Sequence, residues 1–325
     1  MKNKILLYNS GGGIGDTIQL FPLILSLNKH FMNSDLYYLG AHENHFITNL
    51  KEYNIKIKDL NLDIKYFGFR WWHLLFSKKK FLKKNIEKFD IIIDLQSKLR
   101  NTIILRSIPH KIFYSSTFNF MFCSNKEEFI LDKNKDIAES TIENLNILLK
   151  INIKQIKYNL DKYSDLFDKE AKRLLPNNSY IGFSITQGNV YRKKSWPINS
   201  FIELAKRIIT KNKVPVFFVE KKYEDLVNKI KSEVPNAIFP EHNTQIPCPT
   251  LVTALAKRMD KIISIDNGVM HMAALANIPM IILFGPTNSN KFAPKNQNIV
   301  VLDSKQIYKS SDISKICVED VLRHI

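Results

Sequence analysis

The chain has 325 residues, 45% hydrophobic and 24% charged; at roughly 150 residues per domain this implies about two domains, each with its own core. Forty-eight Lys and Arg stand against 31 Asp and Glu, a formal charge of +17. The composition excludes a disordered or collagen-like chain, and the charge leaves nucleic acid, an acidic substrate or an anionic membrane surface as partners. The richness in Lys, Asn and Ile that AT-rich coding produces is a competing source of part of that charge.

After Met1-Lys2-Asn3-Lys4 comes an apolar stretch, 5–8, too short for a signal-peptide core. No run approaches the 18 apolar residues of a membrane span, so a soluble cytoplasmic protein is expected. Cys123, Cys248 and Cys317 lie far apart without zinc or redox spacing and are expected to be buried, reduced thiols.

In chain order, 5–8 reads as a buried strand and 18–28 as a helix with Ile18, Phe21, Ile24, Leu25 and Leu27 on its apolar face. Strands follow at 36–39 and 91–95, and an amphipathic helix at 136–149. The stretch 152–178 is polar, of mixed charge, and ends in Pro176-Asn177-Asn178, so it reads as the domain connection. The alternation then restarts: strand 180–184, helix 199–211, strand 214–219, helices 223–233 and 251–257, strand 261–265, helix 268–277 and strand 279–284. This is an α/β pattern of two Rossmann-like domains facing across a cleft, assigned to 1–165 and 166–325, with the last helix free to pack back on the N-terminal domain.

Three constellations sit at strand-to-helix junctions. The first is Gly11-Gly12-Gly13-Ile14-Gly15-Asp16, where glycines admit a ligand to the backbone and a helix opens. Asp16 stands where a dinucleotide fingerprint needs a small residue, which argues against NAD, and no P-loop pattern occurs. Asp16 reads either as a first-turn residue favoured by the helix dipole or as a general base. The second is Arg192-Lys193-Lys194-Ser195-Trp196-Pro197, three cations suited to a phosphate-bearing ligand or simply a solvated basic loop, with Trp196-Pro197 stapling the next helix. The third is Asp266-Asn267-Gly268-Val269-Met270-His271, in which the N–H groups of 268–270 are expected to face a phosphate; His271 reads as a ligand contact or a structural histidine. Leu283–Thr287 follows at the next strand end. No Asp-x-Asp and no zinc-like histidine spacing occurs, so no metal is expected.

Together these pieces resemble glycosyltransferase family 9, the ADP-heptose:lipopolysaccharide heptosyltransferases. They come in the family's order: Gly12 to Asp16 with Pro22; Phe89-Asp90-Ile91-Ile92-Ile93-Asp94-Leu95-Gln96 followed by Leu99-Arg100-Asn101; Lys194-x-Trp-Pro; Asp266-x-Gly-x-x-His271 with Ala273-Ala274; and Leu283–Thr287 with Pro294. The chain departs from the family at Asn267, usually Thr, at Asn9-Ser10, usually basic, and in a longer stretch at 187–193. The resemblance implies a GT-B fold and an inverting, metal-independent transfer of heptose from ADP-heptose to the inner core of lipopolysaccharide or lipooligosaccharide. Another nucleotide-activated sugar or a protein acceptor is the alternative. Asp16 is then the base. Lys194, Glu224, Asp266, Asn267, Gly268, His271 and Thr186 serve the donor, Glu224 through the ribose hydroxyls. Gly13, Gly15, Arg192 and Lys193 belong to the phosphate-facing loops, and closure of the domains is expected to exclude water. No cofactor is implied beyond the sugar nucleotide.

The charge is not spread evenly. Residues 65–111 hold 12 basic and 3 acidic side chains, a net of +9, whereas residues 1–170 as a whole net only +7. Within this segment Phe67 to Phe76 mixes aromatics with Arg70 and runs into Lys78, Lys79, Lys80, Lys83 and Lys84. That is either an ordinary helix with a buried aromatic face or a surface for an anionic membrane. Arg70, Lys78, Lys79, Lys80, Gln96 and Arg100 are therefore assigned to acceptor or membrane. The expected partners are an ADP-activated sugar, an anionic lipid-linked saccharide and the inner leaflet. Nucleic acid is not expected, since no recognisable nucleic-acid module appears.

Overall fold

The computed structural model describes residues 3–40, 44–62, 68–84, 88–132, 135–177, 179–188, 191 and 193–325, without the side chain of Ser77. The chain divides into two units, Met1–Asn159 and Leu160–Ile325.

The first unit runs β1 (Lys4–Tyr8), α1 (Ile14–Ile18), α2 (Phe21–His30), β2 (Asp35–Leu39), β3 (Lys58–Asp59), α3 (His73–Leu82), β4 (Phe89–Asp94), α4 (Leu99–Arg106), β5 (His110–Ser115) and α5 (Ile137–Leu149). Its five strands are parallel, in the order β3-β2-β1-β4-β5. The two central strands, KILLY and FDIIID, are continuous apolar runs because helices cover both faces of the sheet. The single helix expected at 18–28 is two, because Pro22 sits at the start of α2 and cannot continue α1. Asp136 caps α5 by accepting the Glu139 N–H at 2.8 Å.

The second unit runs α6 (Asp165–Leu174), β6 (Tyr180–Ser184), α7 (Ile198–Ile209), β7 (Val214–Phe218), α8 (Glu224–Glu233), α9 (Pro249–Ala256), β8 (Met259–Ile265), α10 (Gly268–Ala274), β9 (Met280–Phe284), α11 (Ser289–Phe292), β10 (Ile299–Asp303), α12 (Ser304–Tyr308) and α13 (Val318–Leu322). Its parallel strands lie in the order β10-β9-β8-β6-β7. Phe183 stacks on Phe217 at 4.8 Å and Phe217 on Phe239 at 5.6 Å, forming an aromatic spine in the core.

Several expectations change. The polar stretch 152–178 contains α6, capped by Ser164 and packed on α9 through buried Phe167 and Ala171. The last helix, α13, lies on its own unit, against α7, with Val318 and Val321 in the core. Of the three free thiols only Cys123 is buried; Cys317 is exposed at the start of α13. Among the described residues no helix is long and apolar enough to cross a membrane.

In each sheet the connections reverse direction once, between β1 and β4 in the first unit and between β6 and β8 in the second. Outside the carboxyl ends of such neighbouring strands lies the crevice where open α/β sheets take their ligands. All three sequence constellations fall at these two places.

Candidate active site

In the first unit, the chain leaves β1 through Asn9 and the glycine run. The Asn9 Oδ1 accepts the Gly11 N–H at 3.0 Å and also the side-chain amide of Gln96, which follows β4. The loops on both sides of the reversal are thereby tied together. A His45 ring nitrogen lies 3.2 Å from the Gly12 carbonyl, and the Thr17 hydroxyl donates to the Gly13 carbonyl at 3.1 Å. Asp16 is exposed in the first turn of α1, where the helix dipole favours a carboxylate. A Cβ on either Gly11 or Gly13 would fall 3.3 Å from the Asp16 Oδ2, so the glycines make room for that carboxylate. Gly15 is buried within α1.

At the end of β4, Asp94 is buried and caged. Its carboxylate accepts the Thr102 hydroxyl at 2.6 Å, the Ser115 hydroxyl at 2.9 Å and the Gln96 N–H at 3.0 Å. Burial pushes the carboxyl pKa up against these hydrogen bonds. Arg100, opening α4, has a buried Nε with no hydrogen-bond partner among the described residues. Arg70 is half-buried, its backbone N–H donating to His73 Nδ1 at 2.8 Å.

The aromatic and basic segment divides in two. Phe69 stacks on Tyr8 and Phe81 is buried, whereas Trp71 and Trp72 are each 53% exposed, Phe76 52% and Leu75 78%. Lys78, Lys79, Lys83 and Lys84 are exposed; Lys80 instead donates to the Leu62 carbonyl at 2.9 Å. Phe67 lies outside the described residues.

In the second unit, Asn267 spans the reversal. Its Oδ1 accepts the Met270 N–H at 2.9 Å, and its amide donates to the Ser184 hydroxyl at 2.7 Å and the Thr186 carbonyl at 2.8 Å. One side chain thus caps α10 and clamps the ends of β6 and β8 together. The Met270 N–H expected to face a phosphate is consequently occupied. The Lys194 ammonium pairs with the Asp266 carboxylate at 2.5 Å, both side chains largely buried, and the Lys194 N–H donates to the Gln187 side chain at 2.8 Å. His271 is buried beside this pair, and burial pushes its pKa down to about 4, so it is neutral at pH 7. Lys193 is exposed with φ +45°, Glu224 is exposed at the start of α8, and Arg192 lies outside the described residues. Trp196 is buried edge-on to Phe201, its indole N–H donating to the Ile316 carbonyl at 2.8 Å, which holds the Lys194 loop to the C-terminal segment.

The structure therefore gathers Asp16, Gln96 and the glycines at one reversal, and Lys194, Asp266, Asn267, Gly268, His271 and Thr186 at the other. The sequence reading missed Asn9, His45 and the cage around Asp94. Among the described residues no group of three or more His, Cys, Asp or Glu is arranged to hold a metal.

Comparison with known proteins follows the same lines. The model of glycosyltransferase family 9 (heptosyltransferase) matches residues 78–322. Lipooligosaccharide heptosyltransferase 2 of Campylobacter jejuni is 23% identical over 302 residues, covering 88% of this chain and 83% of the relative. A family 9 glycosyltransferase structure from Veillonella parvula superposes with a TM-score of 0.71 at 20% identity, over 100% of this chain and 96% of that one. The E. coli heptosyltransferase WaaC, solved with ADP, gives 0.67 at 14%, over 98% of both. The two parallel-sheet units are a GT-B fold, and the chain belongs to glycosyltransferase family 9, the heptosyltransferases.

Proposed function

We propose that the protein moves a heptose from ADP-heptose to the inner core of a lipopolysaccharide or lipooligosaccharide, inverting the anomeric centre without a bound metal. The observation that carries this is the Lys194 ammonium, held by Asp266 at the carboxyl edge of the second sheet, beside the helix start that Asn267 caps. A cation set at a switch point suits the diphosphate of a sugar nucleotide. The names of the relatives supply the sugar.

Asp16 accepts the proton of the acceptor hydroxyl as its oxygen bonds to the anomeric carbon. The bond from that carbon to the diphosphate oxygen breaks, and ADP leaves with the electron pair. General-base help of this kind is worth about 10² to 10⁴ in rate. The charge growing on the diphosphate is met by Lys194, with Arg192 and Lys193 next to it in sequence and the Gly268 N–H at the helix start. Thr186 and Glu224 serve the nucleoside, Glu224 through the ribose hydroxyls. His271, neutral, adds shape without charge.

Arg70, Arg100 and Gln96 serve an anionic lipid-linked acceptor. Exposed Trp71, Trp72 and Phe76, with Lys78 and Lys79, rest the enzyme on the inner leaflet as a peripheral protein; tryptophan and lysine are the side chains such an interface favours. Thermal melting in ADP-heptose, UDP-sugars and GDP-sugars tests the donor. ADP-heptose should raise the melting temperature at concentrations where the others do not, since a ligand at a hundred times its Kd adds about 2.7 kcal/mol. An equal response to a UDP-sugar overturns the assignment. Transfer should persist in EDTA.

A further inference from the structure

Asp16 sits on a helix too short to hold itself. Helix α1 has five residues, and the backbone bonds that close it run from the Thr17 N–H to the Gly13 carbonyl and from the Gln19 N–H to the Gly15 carbonyl, each at 3.2 Å. A helix of that length is unstable in water on its own, and the carboxylate stands exposed on it. Ahead of it runs a turn of three glycines, the residues with the most backbone freedom to lose. The direction of the Asp16 carboxylate therefore depends on what grips the glycine turn from outside.

Asn9 grips it on the β4 side, and His45 does so on the β2 side. His45 is buried, although the carbonyl it meets belongs to exposed Gly12. That carbonyl only accepts, so the ring nitrogen 3.2 Å away, Nε2, carries the proton. The Asn49 side-chain amide donates to the other ring nitrogen, Nδ1, at 3.0 Å, which fixes the same tautomer and leaves the ring neutral. The histidine is itself anchored. The neighbouring Asn44 amide donates to the Asp59 carboxylate of β3 at 2.7 Å and its Oδ1 accepts the Phe46 N–H at 3.0 Å, while the His45 carbonyl accepts the Leu50 N–H at 2.7 Å. Phe46 is buried edge-on to Tyr38 of β2, with ring centroids 4.9 Å apart.

We infer that His45 is a positioning residue for the transfer: its Nε2–H holds the Gly12 carbonyl, the held turn sets α1, and α1 aims the Asp16 carboxylate. It acts through the backbone and needs no contact with substrate. A displacement of about 1 Å in a reacting group costs up to 10² in rate, so one hydrogen bond to a loop carbonyl is enough to matter. The effect on rate rests on the reading of Asp16 as the base; the hold on the glycine turn does not.

The test uses the full-length ¹⁵N-labelled protein and three variants. His45→Phe keeps a ring of similar size without a donor, and His45→Gln puts an amide N–H where Nε2 stood. His45→Asn, polar but too short to bring a donor to Gly12, should behave as His45→Phe does and replaces it if that variant does not fold. The backbone heteronuclear NOEs of Gly11, Gly12 and Gly13 should fall in His45→Phe and match the parent in His45→Gln. With ADP-heptose and heptose-free lipopolysaccharide, kcat of His45→Phe should drop by about tenfold to 10². His45→Gln should stay within about threefold of the parent, since it keeps a neutral hydrogen bond of similar strength. The Kd for ADP, read by calorimetry, should be the same in all. Water replaces the lost donor at the exposed carbonyl, so the melting temperature of His45→Phe should move by only about 2 to 4 °C. Glycine NOEs unchanged in the variants without a donor, a parent-like kcat in them, or equal losses in His45→Gln and His45→Phe overturns the proposal. If Asp16→Asn transfers heptose as the parent does, the base reading falls, while the NOE comparison still decides whether His45 holds the turn.

Discussion

The Lys194 ammonium and the Asp266 carboxylate, 72 positions apart in sequence, meet at 2.5 Å with side chains only 15% and 8% exposed. The pair fixes where the cation stands before any donor arrives, and each partner neutralises the other's burial. Lys194→Met strips a buried carboxylate of its partner and should cost about 3 kcal/mol. It should also weaken ADP binding at least tenfold. Lys194→Met combined with Asp266→Leu should recover most of the stability, read by urea denaturation, and none of the affinity, read by calorimetry. Recovered ADP binding in the double variant would remove Lys194 from the diphosphate.

Asp16→Asn should fold as the parent does, since the side chain is exposed. Transfer should drop by about 10² to 10⁴ with the donor Kd unchanged. Steady-state rates beside a melting curve decide this; turnover near that of the parent assigns the proton to another group.

Gly13→Ala places a methyl 3.3 Å from the Asp16 Oδ2 while leaving an ordinary φ of −98°. The backbone tolerates alanine, so the effect falls on the carboxylate. A kcat lowered by about tenfold or more, with little change in melting temperature, is expected. The reverse split, intact kcat and lost stability, would make the glycine structural only.

His271 gives a pH dependence with a definite sign. Its folded pKa of about 4 lies below the ordinary 6.5, so the unfolded chain takes up a proton first as pH falls. The stability it contributes is whole above 6.5 and is lost on the way down to 4, about 2 kcal/mol by pH 5. Glu241 works the other way: burial and the nearby Glu220 charge push it up to about 7, which favours folding as pH falls. The difference between parent and His271→Gln across pH 5 to 7.5, measured by denaturation, isolates the histidine and should narrow toward low pH.

Much of this was legible from sequence and some was not, for physical reasons. Central strands announce themselves because helices cover both faces, leaving runs such as Ile91-Ile92-Ile93. The edge strand β3, Lys58–Asp59, carries no such run, and β5 opens on His110-Lys111; β10 does carry one, Ile299 to Leu302, beyond the last strand read from the sequence. Helix α6 sets six charged side chains among four apolar ones and passes for a linker. Asp16, Lys194 and Asp266 stand out as charges at strand-to-helix junctions. Asn9 and His45 act through partners 87 and 33 positions away, and the hydroxyls on Asp94 come from 8 and 21 positions on, relations that only the fold makes visible.

The exposed face of α3 predicts an ionic-strength-dependent partition onto vesicles. Replacing Lys78, Lys79, Lys83 and Lys84 with glutamine removes about 1 kcal/mol each on an anionic surface, so binding to phosphatidylglycerol vesicles should fall by roughly 10³. Trp71→Ala with Trp72→Ala should weaken binding to neutral vesicles as well. Co-sedimentation unaltered in both variants would leave this face solvated.

The indole N–H of Trp196 on the Ile316 carbonyl makes the last turns of the chain a remote brace for the loop that carries Lys194. A protease nick or a bulky fusion near 316 would act as a loosened strut 120 positions from the residue it disturbs. In the other direction, a nucleotide that stills the Lys194 loop would shield that distant segment from cleavage. On the proposed donor role of Lys194, cleavage near 316 would then report whether the donor is bound.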